Sequence, residues 1–432
     1  MTEADQKLRE REARMKERFQ RKSSHTSVRY LRRMKELGGA PEELTPFLET
    51  LDQIYTGMKS ADIPADVPAV GTYCVMAPQE LIYAAGARPV KLCSGSYTAF
   101  SVGDDEVPRD ACPLVKAAEG FMSVDTMPLY RDCRMMVVPV TCDCKKKIAG
   151  MLSAKREVVT LHVPVKKEDS DIELYMEELY FFMEKLEDLT GKRITYESLT
   201  AAMRMTGRAA YELSRFLSYK KQMPYLIRGT HSMAVMNAAA YMDAGVWADR
   251  LMALNRSLER RVRQGETVTK KQLPRIMITG SPIIFPNIKI PLLIEEMGGI
   301  VAADETCMGE RGMSDPVVPT DDSFDGLIRA LAVRAIRPCT CPTFADNKQR
   351  IYRIRQMIID HRIEGVIYHV LRGCLVYDFE YRKTEEELDK LGIPVIRLET
   401  DYNEEDIEQL RIRIEAFIEM IKLRKVMEKH RA

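Results

Sequence analysis

The sequence predicts an α/β protein with two doubly wound parallel-sheet domains, preceded by a helical lead and joined by a helical middle region. Short β-branched runs alternate with helix-like segments in two separate parts of the chain, which is typical of parallel sheets covered by helices. Between those parts the hydrophobic period is about 3.6 residues, which indicates amphipathic helices. We therefore expect a Rossmann- or flavodoxin-like architecture in four consecutive segments: 1–62, 63–170, 171–272 and 273–432.

Composition and charge restrict the class of protein. The chain has 432 residues, of which 45% are hydrophobic and 30% are charged, and its formal net charge is +1. This near-neutral balance argues against a general nucleic-acid or membrane-surface role. No apolar run reaches the roughly 18 residues of a membrane span, and the charged N-terminus lacks the apolar core of a signal peptide. We therefore expect a cytoplasmic protein.

The elements can be assigned in chain order. We interpret the Lys- and Arg-rich lead as a solvated helix with charge pairs four residues apart, and a proline-punctuated stretch marks its end. Helices should begin near Pro78 and Pro113, because proline is favoured in the first helical turn. In the first α/β segment, strands are predicted at 70–76, 88–93, 134–140 and 158–163. In the second, strands are predicted at 275–279, 300–303, 365–370 and 393–399, with a closing helix at 405–429.

Ten cysteines are the most unusual feature of the composition. They are Cys74, Cys93, Cys112, Cys133, Cys142, Cys144, Cys307, Cys339, Cys341 and Cys374. A reducing compartment disfavours a disulfide framework. Three roles stay open at this point. The thiols can be small core residues, zinc ligands, although two C-x-C pairs are tighter than the usual zinc spacing, or ligands of an iron–sulfur cluster.

Several cysteines follow predicted strands. Cys93, Cys142 and Cys374 follow closely, Cys307 comes after three polar residues, and Cys112 precedes a helix. Ligands of open α/β sheets bind at the carboxyl ends of strands, so two facing domains could bring these thiols together across a cleft. The chain has neither a complete glycine-rich nucleotide loop nor a zinc-hydrolase histidine motif.

Short motifs that carry a family resemblance follow one another along the chain. They are P-x-E-L-I-x-A-A-G-A-x-P-V-x-L-C at 78–93, C-P-L-V-K at 112–116, T-C-D-x-K-K-K at 141–147, E-x-C-x-G at 305–309, P-C-x-C at 338–341, G-C at 373–374, and the segments 394–402 and 413–419. In this order they resemble the 2-hydroxyacyl-CoA dehydratase superfamily. That superfamily includes the iron–sulfur subunits of ATP-dependent benzoyl-CoA reductase and the double-cubane cluster proteins.

The resemblance implies the cluster-bearing component of a low-potential reductase or dehydratase. Its substrate would be an acyl-CoA thioester, 2-hydroxyacyl-CoA for dehydration or benzoyl-CoA for ring reduction, reacting through a radical intermediate. Electrons would come from a separate ATP-hydrolysing iron–sulfur activator, and a second homologous α/β subunit would complete a homo- or heterodimer. One rival is a double-cubane reductase of small molecules without CoA. A rival of another class is a non-catalytic structural or electron-relay subunit.

The resemblance also suggests ligands. It implies a [4Fe-4S] cluster held by Cys112, Cys142 and Cys374. Cys93 and Cys307 match further ligands of the double-cubane members, which would extend the cofactor to a double-cubane [8Fe-9S] cluster.

Some positions depart from the family pattern. Met127 stands where double-cubane relatives carry a cysteine, and Cys133 is the candidate substitute. Cys144 replaces a residue that is usually glycine, so it is either an extra ligand or a tolerated thiol. We interpret Cys74, Cys339 and Cys341 either as residues that surround the ligands without binding the cluster or as structural residues. Glu80 could position a substrate, although on a short helix we favour a surface or capping carboxylate.

Overall fold

The computed structural model describes residues 3–57, 64, 66–312 and 315–431. The predicted boundary at residues 62–63 lies outside the described residues. In the described part of the chain, none of the helices combines the length and apolar character that crossing a membrane requires.

The lead consists of two helices that pack against the rest of the protein. They are α1 (Glu3–Glu36) and α2 (Thr45–Tyr55), with a short 3-10 turn (Glu42–Leu44) between them. Arg33 donates two hydrogen bonds to Glu296, at N···O distances of 3.0 and 2.7 Å, and Tyr30 donates one to Glu404 at 2.9 Å. The helical lead is confirmed, but only its first part, for example 9–15, is a solvated helix.

The first α/β part contains a four-stranded parallel sheet in the order β2-β1-β3-β4. Its elements are β1 (Ala69–Thr72), α3 (Gln79–Ala84), β2 (Arg88–Lys91), α4 (Tyr97–Gly103), α5 (Pro113–Val124), α6 (Pro128–Arg131), β3 (Cys133–Val140), α7 (Asp143–Ser153) and β4 (Val158–His162). β1 ends at Thr72, earlier than predicted, because the chain bends and turns at 73–77 toward α3. The predicted parallel sheet is confirmed.

The middle part is helical, as predicted. It contains α8 (Asp169–Thr190), α9 (Tyr196–Lys220), α10 (Gly229–Ala238) and α11 (Ala244–Gln264). α9 begins at a capping box, in which Ser198 N donates to Thr195 Oγ1 at 3.2 Å and Thr195 N donates to Ser198 Oγ at 3.0 Å. Such reciprocal bonds satisfy amides that a helix start leaves unpaired.

The second α/β part repeats the topology of the first, with the strand order β6-β5-β7-β8. Its elements are β5 (Arg275–Gly280), α12 (Lys289–Glu296), β6 (Ile300–Glu305), α13 (Phe324–Ile336), α14 (Lys348–Asp360), β7 (Gly365–Leu371), α15 (Leu375–Lys390), β8 (Val395–Thr400) and α16 (Ile407–Arg431). β5, β6 and β7 are buried along their whole length, which explains their nearly continuous apolar sequences. The predicted fold class, two parallel sheets with a helical lead and a helical middle, is confirmed.

Helices α4 and α5 cross at two glycines. A Cβ atom on Gly120 would clash with the carbonyl of Ala99, and one on Gly103 would clash with the carbonyl of Lys116. The two helix backbones are therefore in direct contact. This contact fixes the position of α5, whose first turn follows Cys112.

We predict that Gly120→Ala destabilises the protein, because the new methyl group must push α4 away from α5. The free energy of unfolding should fall by about 1–3 kcal/mol, the usual cost of overpacking. Gly150→Ala is a matched control in α7, since no atom lies within 4 Å of its Cβ position, and it should stabilise by about 0.5–1 kcal/mol. Urea denaturation measures both values, and equal effects of the two substitutions would contradict the prediction.

Candidate functional site

Each sheet has a switch point, where the chain leaves two central strands toward opposite sides. It lies between β1 and β3 in the first sheet and between β5 and β7 in the second. Ligands of open α/β sheets bind in the crevice at this point. Cys142 follows β3 and is the N-cap of α7, and Cys374 follows β7 and is the N-cap of α15. Two of the three thiols predicted to hold a cubane thus lie at the two switch points.

The third thiol, Cys112, is brought to Cys374 by a close contact between two loops. Cys112 is the N-cap of α5, directly before Pro113. A Cβ atom on Gly373 would clash with the carbonyl oxygen of Asp110. The φ of Gly373 is also +75°, in the left-handed region that favours glycine. Only glycine therefore fits where the Cys374 loop touches the Cys112 loop.

The three thiols influence one another. A hydrogen bond from the Cys112 thiol lowers the pKa of Cys374, and the Ser281 hydroxyl adds to this effect. The same hydrogen bond, together with burial and the nearby Cys142 thiolate, raises the pKa of Cys112. The thiol pair thus favours a proton on Cys112 and a thiolate on Cys374.

A second group of thiols lies beside the first, at the ends of other strands. It consists of Cys74 after β1, Cys93 after β2 and Cys307 after β6. Burial raises the pKa of Cys93 to about 12, with smaller contributions from the thiolates of Cys307 and Cys74. Cys93 and Cys307, the residues predicted to extend the cluster, are therefore neighbours. Cys74, which we interpreted as a residue around the ligands or a structural one, is near both. The predicted strand at 70–76 placed Cys74 within a strand, whereas β1 ends at Thr72.

Lys145 lies between the two groups. Its Nζ donates a hydrogen bond to the carbonyl of Tyr73 at 2.8 Å. Burial alone would lower the pKa of Lys145, but the thiolates of Cys74, Cys93 and Cys142 raise it above its usual value. The first lysine of the 141–147 motif thus supplies a buried positive charge to both thiol groups.

A buried ionic network holds the segments that carry Cys307 and the C-x-C pair. Glu305, which is fully buried, accepts hydrogen bonds from Arg311 at 3.2 Å and from the Thr340 hydroxyl at 2.9 Å. Thr340 separates Cys339 from Cys341. The carboxylate at the end of β6 thus binds both the loop that follows the strand and the C-x-C segment.

Cys133 lies at the other end of β3 from Cys142. It begins β3, whereas Cys142 follows the end of that strand. The eight residues of β3 span roughly 25 Å, at about 3.3 Å per residue. Cys133 donates to the carbonyl of Leu129 at 3.1 Å and is buried. Met127 is likewise buried, at the N-cap of α6. The structure therefore places Cys133 at the opposite end of β3 from Cys142, in the core of the first α/β part.

Cys144 lies in the first turn of α7 and is half-buried. Its thiolate is close enough to raise the pKa of Cys142, although burial is the larger cause of that rise. Among the described residues, no set of three or more His, Cys, Asp or Glu side chains is placed to hold a single metal ion.

The expectation that Glu80 lies at the surface is wrong. Glu80 is fully buried and accepts two hydrogen bonds from Arg334, at 2.6 and 2.8 Å. Burial alone would raise the pKa of Glu80, but the Arg334 charge and hydrogen bonds hold it below the usual value. Glu80 belongs to α3 and Arg334 to α13, a helix that follows β6 in the sequence but packs against α8 and the core of the first sheet. The sequence cannot indicate a partner 254 positions away.

Comparison with known proteins places the chain among subunits of related enzymes. A family model described as "2-hydroxyglutaryl-CoA dehydratase, D-component" matches residues 74–421. The chain is 31% identical over 359 residues to "Putative dehydratase subunit YjiM" of Escherichia coli (strain K12), covering 82% of this chain and 92% of that protein.

Two further relatives are more distant. The "(R)-phenyllactyl-CoA dehydratase beta subunit" of Clostridium sporogenes is 24% identical over 82% of this chain and 91% of its own length. A benzoyl-CoA reductase subunit of Thauera aromatica is 21% identical over 81% of this chain and 89% of its own length.

We predict that Glu80→Gln lowers the free energy of unfolding near pH 7 by about 3–5 kcal/mol, because it leaves the Arg334 charge buried without its partner. The pKa of Glu80 is lower in the folded protein than in the unfolded chain, so its stabilisation is present above the unfolded pKa and is lost as the pH falls through the folded value. The difference between wild type and variant should therefore shrink below about pH 4.

Chemical denaturation at a series of pH values measures this difference. Glu386→Gln is the control, since Glu386 pairs with Arg382 on the surface and its loss should change stability by less than about 1 kcal/mol. A pH-independent cost of Glu80→Gln would contradict the assignment of a charged, paired carboxylate.

Proposed function

The chain belongs to the 2-hydroxyglutaryl-CoA dehydratase D-component family, and on this basis we propose that it is the iron–sulfur component of an ATP-dependent dehydratase or reductase of an acyl-CoA thioester. The family resemblance predicted from the motifs is confirmed. The observation that carries the proposal is the proximity of Cys112 to Cys142 and Cys374, the two thiols at the switch points, where this fold binds ligands. The names of the relatives support both the lyase and the reductase branch.

The donor set fits a [4Fe-4S] cluster held by Cys112, Cys142 and Cys374. All three are thiols, the usual ligands of iron–sulfur clusters. The lowered pKa of Cys374 favours the thiolate form that a metal requires. When bound, such a cluster would supply low-potential electrons and an iron with an open coordination position.

The protein's own residues would position this group and shield it. The Ser281 hydroxyl bonds to Cys374 and also accepts a hydrogen bond from Leu371 N at 3.1 Å, which orients the loop after β7. Lys145 offers a buried positive charge to anionic thiolates. The contact of Gly373 with Asp110 holds the Cys374 loop directly on the Cys112 loop, and both thiols are half-buried there.

A double-cubane reductase is the second candidate function. It is supported by the proximity of Cys93 and Cys307, with Cys74 as a third thiol beside them. Met127 lacks the thiol of the corresponding family position, and Cys133 lies at the other end of β3. A second cubane in this chain would therefore use Cys74 rather than Cys133.

We infer a second homologous α/β subunit as partner, because a relative is itself named a beta subunit. A separate ATP-hydrolysing activator would supply the electrons, as the family resemblance implies. A cytoplasmic location fits this chemistry. The alternative of a non-catalytic structural or relay subunit predicts that the chain does not turn over substrate even when the activator is present.

We predict that protein purified without oxygen contains about four irons per chain if one cubane is bound and about eight if two are bound. Cys142→Ser should lose the iron of the first cubane, because serine does not supply a thiolate. Iron and sulfide analysis, with the visible absorption of the cluster, measures this. Cys133→Ser is the matched control and should keep the wild-type iron content.

Full iron content in a folded Cys142→Ser protein would refute the ligand assignment, and zinc in place of iron would refute the proposed function. Activity is tested separately, by adding a homologous subunit, an activator, ATP and a 2-hydroxyacyl-CoA. We expect dehydration that depends on the activator and is absent with Cys142→Ser. Turnover by the partner and activator without this chain would support the non-catalytic alternative instead.

A further inference from the structure

A cavity of about 140 Å³ lies beside the second thiol group. It is lined by the ends of β1 and β2, by α9 and by the segments after β6 and α13. Pockets for whole drug-sized ligands measure about 300–1,000 Å³, whereas an engineered cavity of about 150 Å³ binds benzene. The cavity thus has room for a compact molecule and not for an entire CoA.

Most charged side chains in the wall of this cavity are already paired. Arg311 pairs with Glu305, and Arg334 pairs with Glu80. Asp315 pairs with another arginine outside the cavity wall. Their charges are therefore largely compensated within the protein and leave little net field in the cavity.

Lys91 is the exception. It is the last residue of β2 and lies on the same side of the strand as Pro89, which also lines the cavity. Val90 between them is buried, as the alternation of side chains along a strand requires. Within the described ranges, no acceptor forms a hydrogen bond or ion pair with the Lys91 ammonium group. Lys91 thus has the thiols of Cys307, Cys93 and Cys74 near it, but no carboxylate of the described residues pairs with it.

The wall of the cavity combines polar side chains, such as Gln79, Tyr83 and Thr206, with short apolar ones. Its alanines include Ala209, Ala210, Ala239 and Ala240. Their short side chains leave space and offer no hydrogen bonds. A cation next to a small apolar compartment favours a ligand with one negative group and a short hydrocarbon body.

We propose that this cavity binds a compact carboxylate, with the carboxylate group on Lys91 Nζ and the hydrocarbon chain against the alanines. The ligand can be a free short-chain acid or the carboxylate-bearing acyl end of a thioester. The thioester source rests on the proposed function, and it would identify the substrate class of the proposed enzyme. Because Cys74 and Cys339 also line the cavity, the bound acid would lie next to the second thiol group.

The chain carries its own probe for this binding. Trp247 is its single tryptophan, is buried and lines the cavity. Its indole N–H donates to the carbonyl of Val235 at 3.0 Å, so the ring is held in place. We expect butyrate to change the Trp247 fluorescence of the anaerobically purified protein in a saturable way. Butyramide, which has the same shape without the charge, should bind more weakly.

Lys91→Met should weaken butyrate binding about tenfold or more, the effect of losing a hydrogen bond to a charged group. It should leave the binding of butyramide unchanged. Lys91→Arg keeps the charge and should retain most of the butyrate affinity. Lys270→Met removes an exposed lysine and should have no effect. Thermal melting shows whether the variants are folded, and the Lys91→Arg result keeps the test decisive if Lys91→Met unfolds.

The outcomes separate this inference from the proposed function. Iron-loaded protein that shows no saturable response to butyrate, or an equal response with Lys91→Met, overturns the inference alone. Iron-free protein that binds butyrate through Lys91 overturns the proposed function and supports the inference. Glutaryl-CoA identifies the source of the carboxylate. If glutaryl-CoA competes with butyrate, and this competition is lost in Lys91→Met, the ligand is the acyl end of a thioester. If butyrate binds and glutaryl-CoA does not compete, the ligand is a free acid.

Discussion

The contact between Gly373 and the carbonyl of Asp110 is the constraint on which the rest of the site depends. Parallel sheets present their ligand-binding ends as separate edges, and this protein has two of them. The glycine lets the loop after β7 lie directly on the loop before α5. As a result, a thiol that follows the second sheet bonds to a thiol of the first part of the chain. Any side chain at position 373 would separate the two.

Buried ion pairs maintain this arrangement elsewhere. Glu80 and Arg334 connect α3 to α13, and Glu305 connects the end of β6 to the C-x-C segment. Removing charges from water is costly, so a buried pair is a poor general source of stability. Separating the two partners is much more costly, however, because it leaves one charge buried without its partner. We infer that these contacts contribute geometric precision: α13 cannot shift on α3 without exposing an unpaired charge, and the Thr340 hydrogen bond holds the C-x-C segment after α13 at the end of β6.

Much of the fold was predictable, because it follows from local patterns. The apolar run that forms β3 and the cysteine directly after it predict a thiol at a sheet edge, and Cys142 lies there. The failures involve long-range contacts or element ends. The sequence around Glu80 predicts a helix, but it contains no signal that Arg334 is the partner of this carboxylate. Cys74 was obscured because the apolar pattern continues past Thr72, where β1 ends. Cys133 is close to Cys142 in the sequence, but β3 runs between them, so the two thiols lie at opposite ends of that strand.

The distribution of positive charge connects the thiol groups with the cavity. Thiolates that gather in a buried region repel one another, so nearby cations are needed to keep them ionised. Lys145 meets this need and is fixed by its bond to Tyr73. Lys91 is near the same thiols and lines the cavity, but none of the described residues accepts a hydrogen bond from its ammonium group. Since a half-buried cation without a partner is costly, a role in folding does not account for Lys91, whereas binding an anionic ligand does.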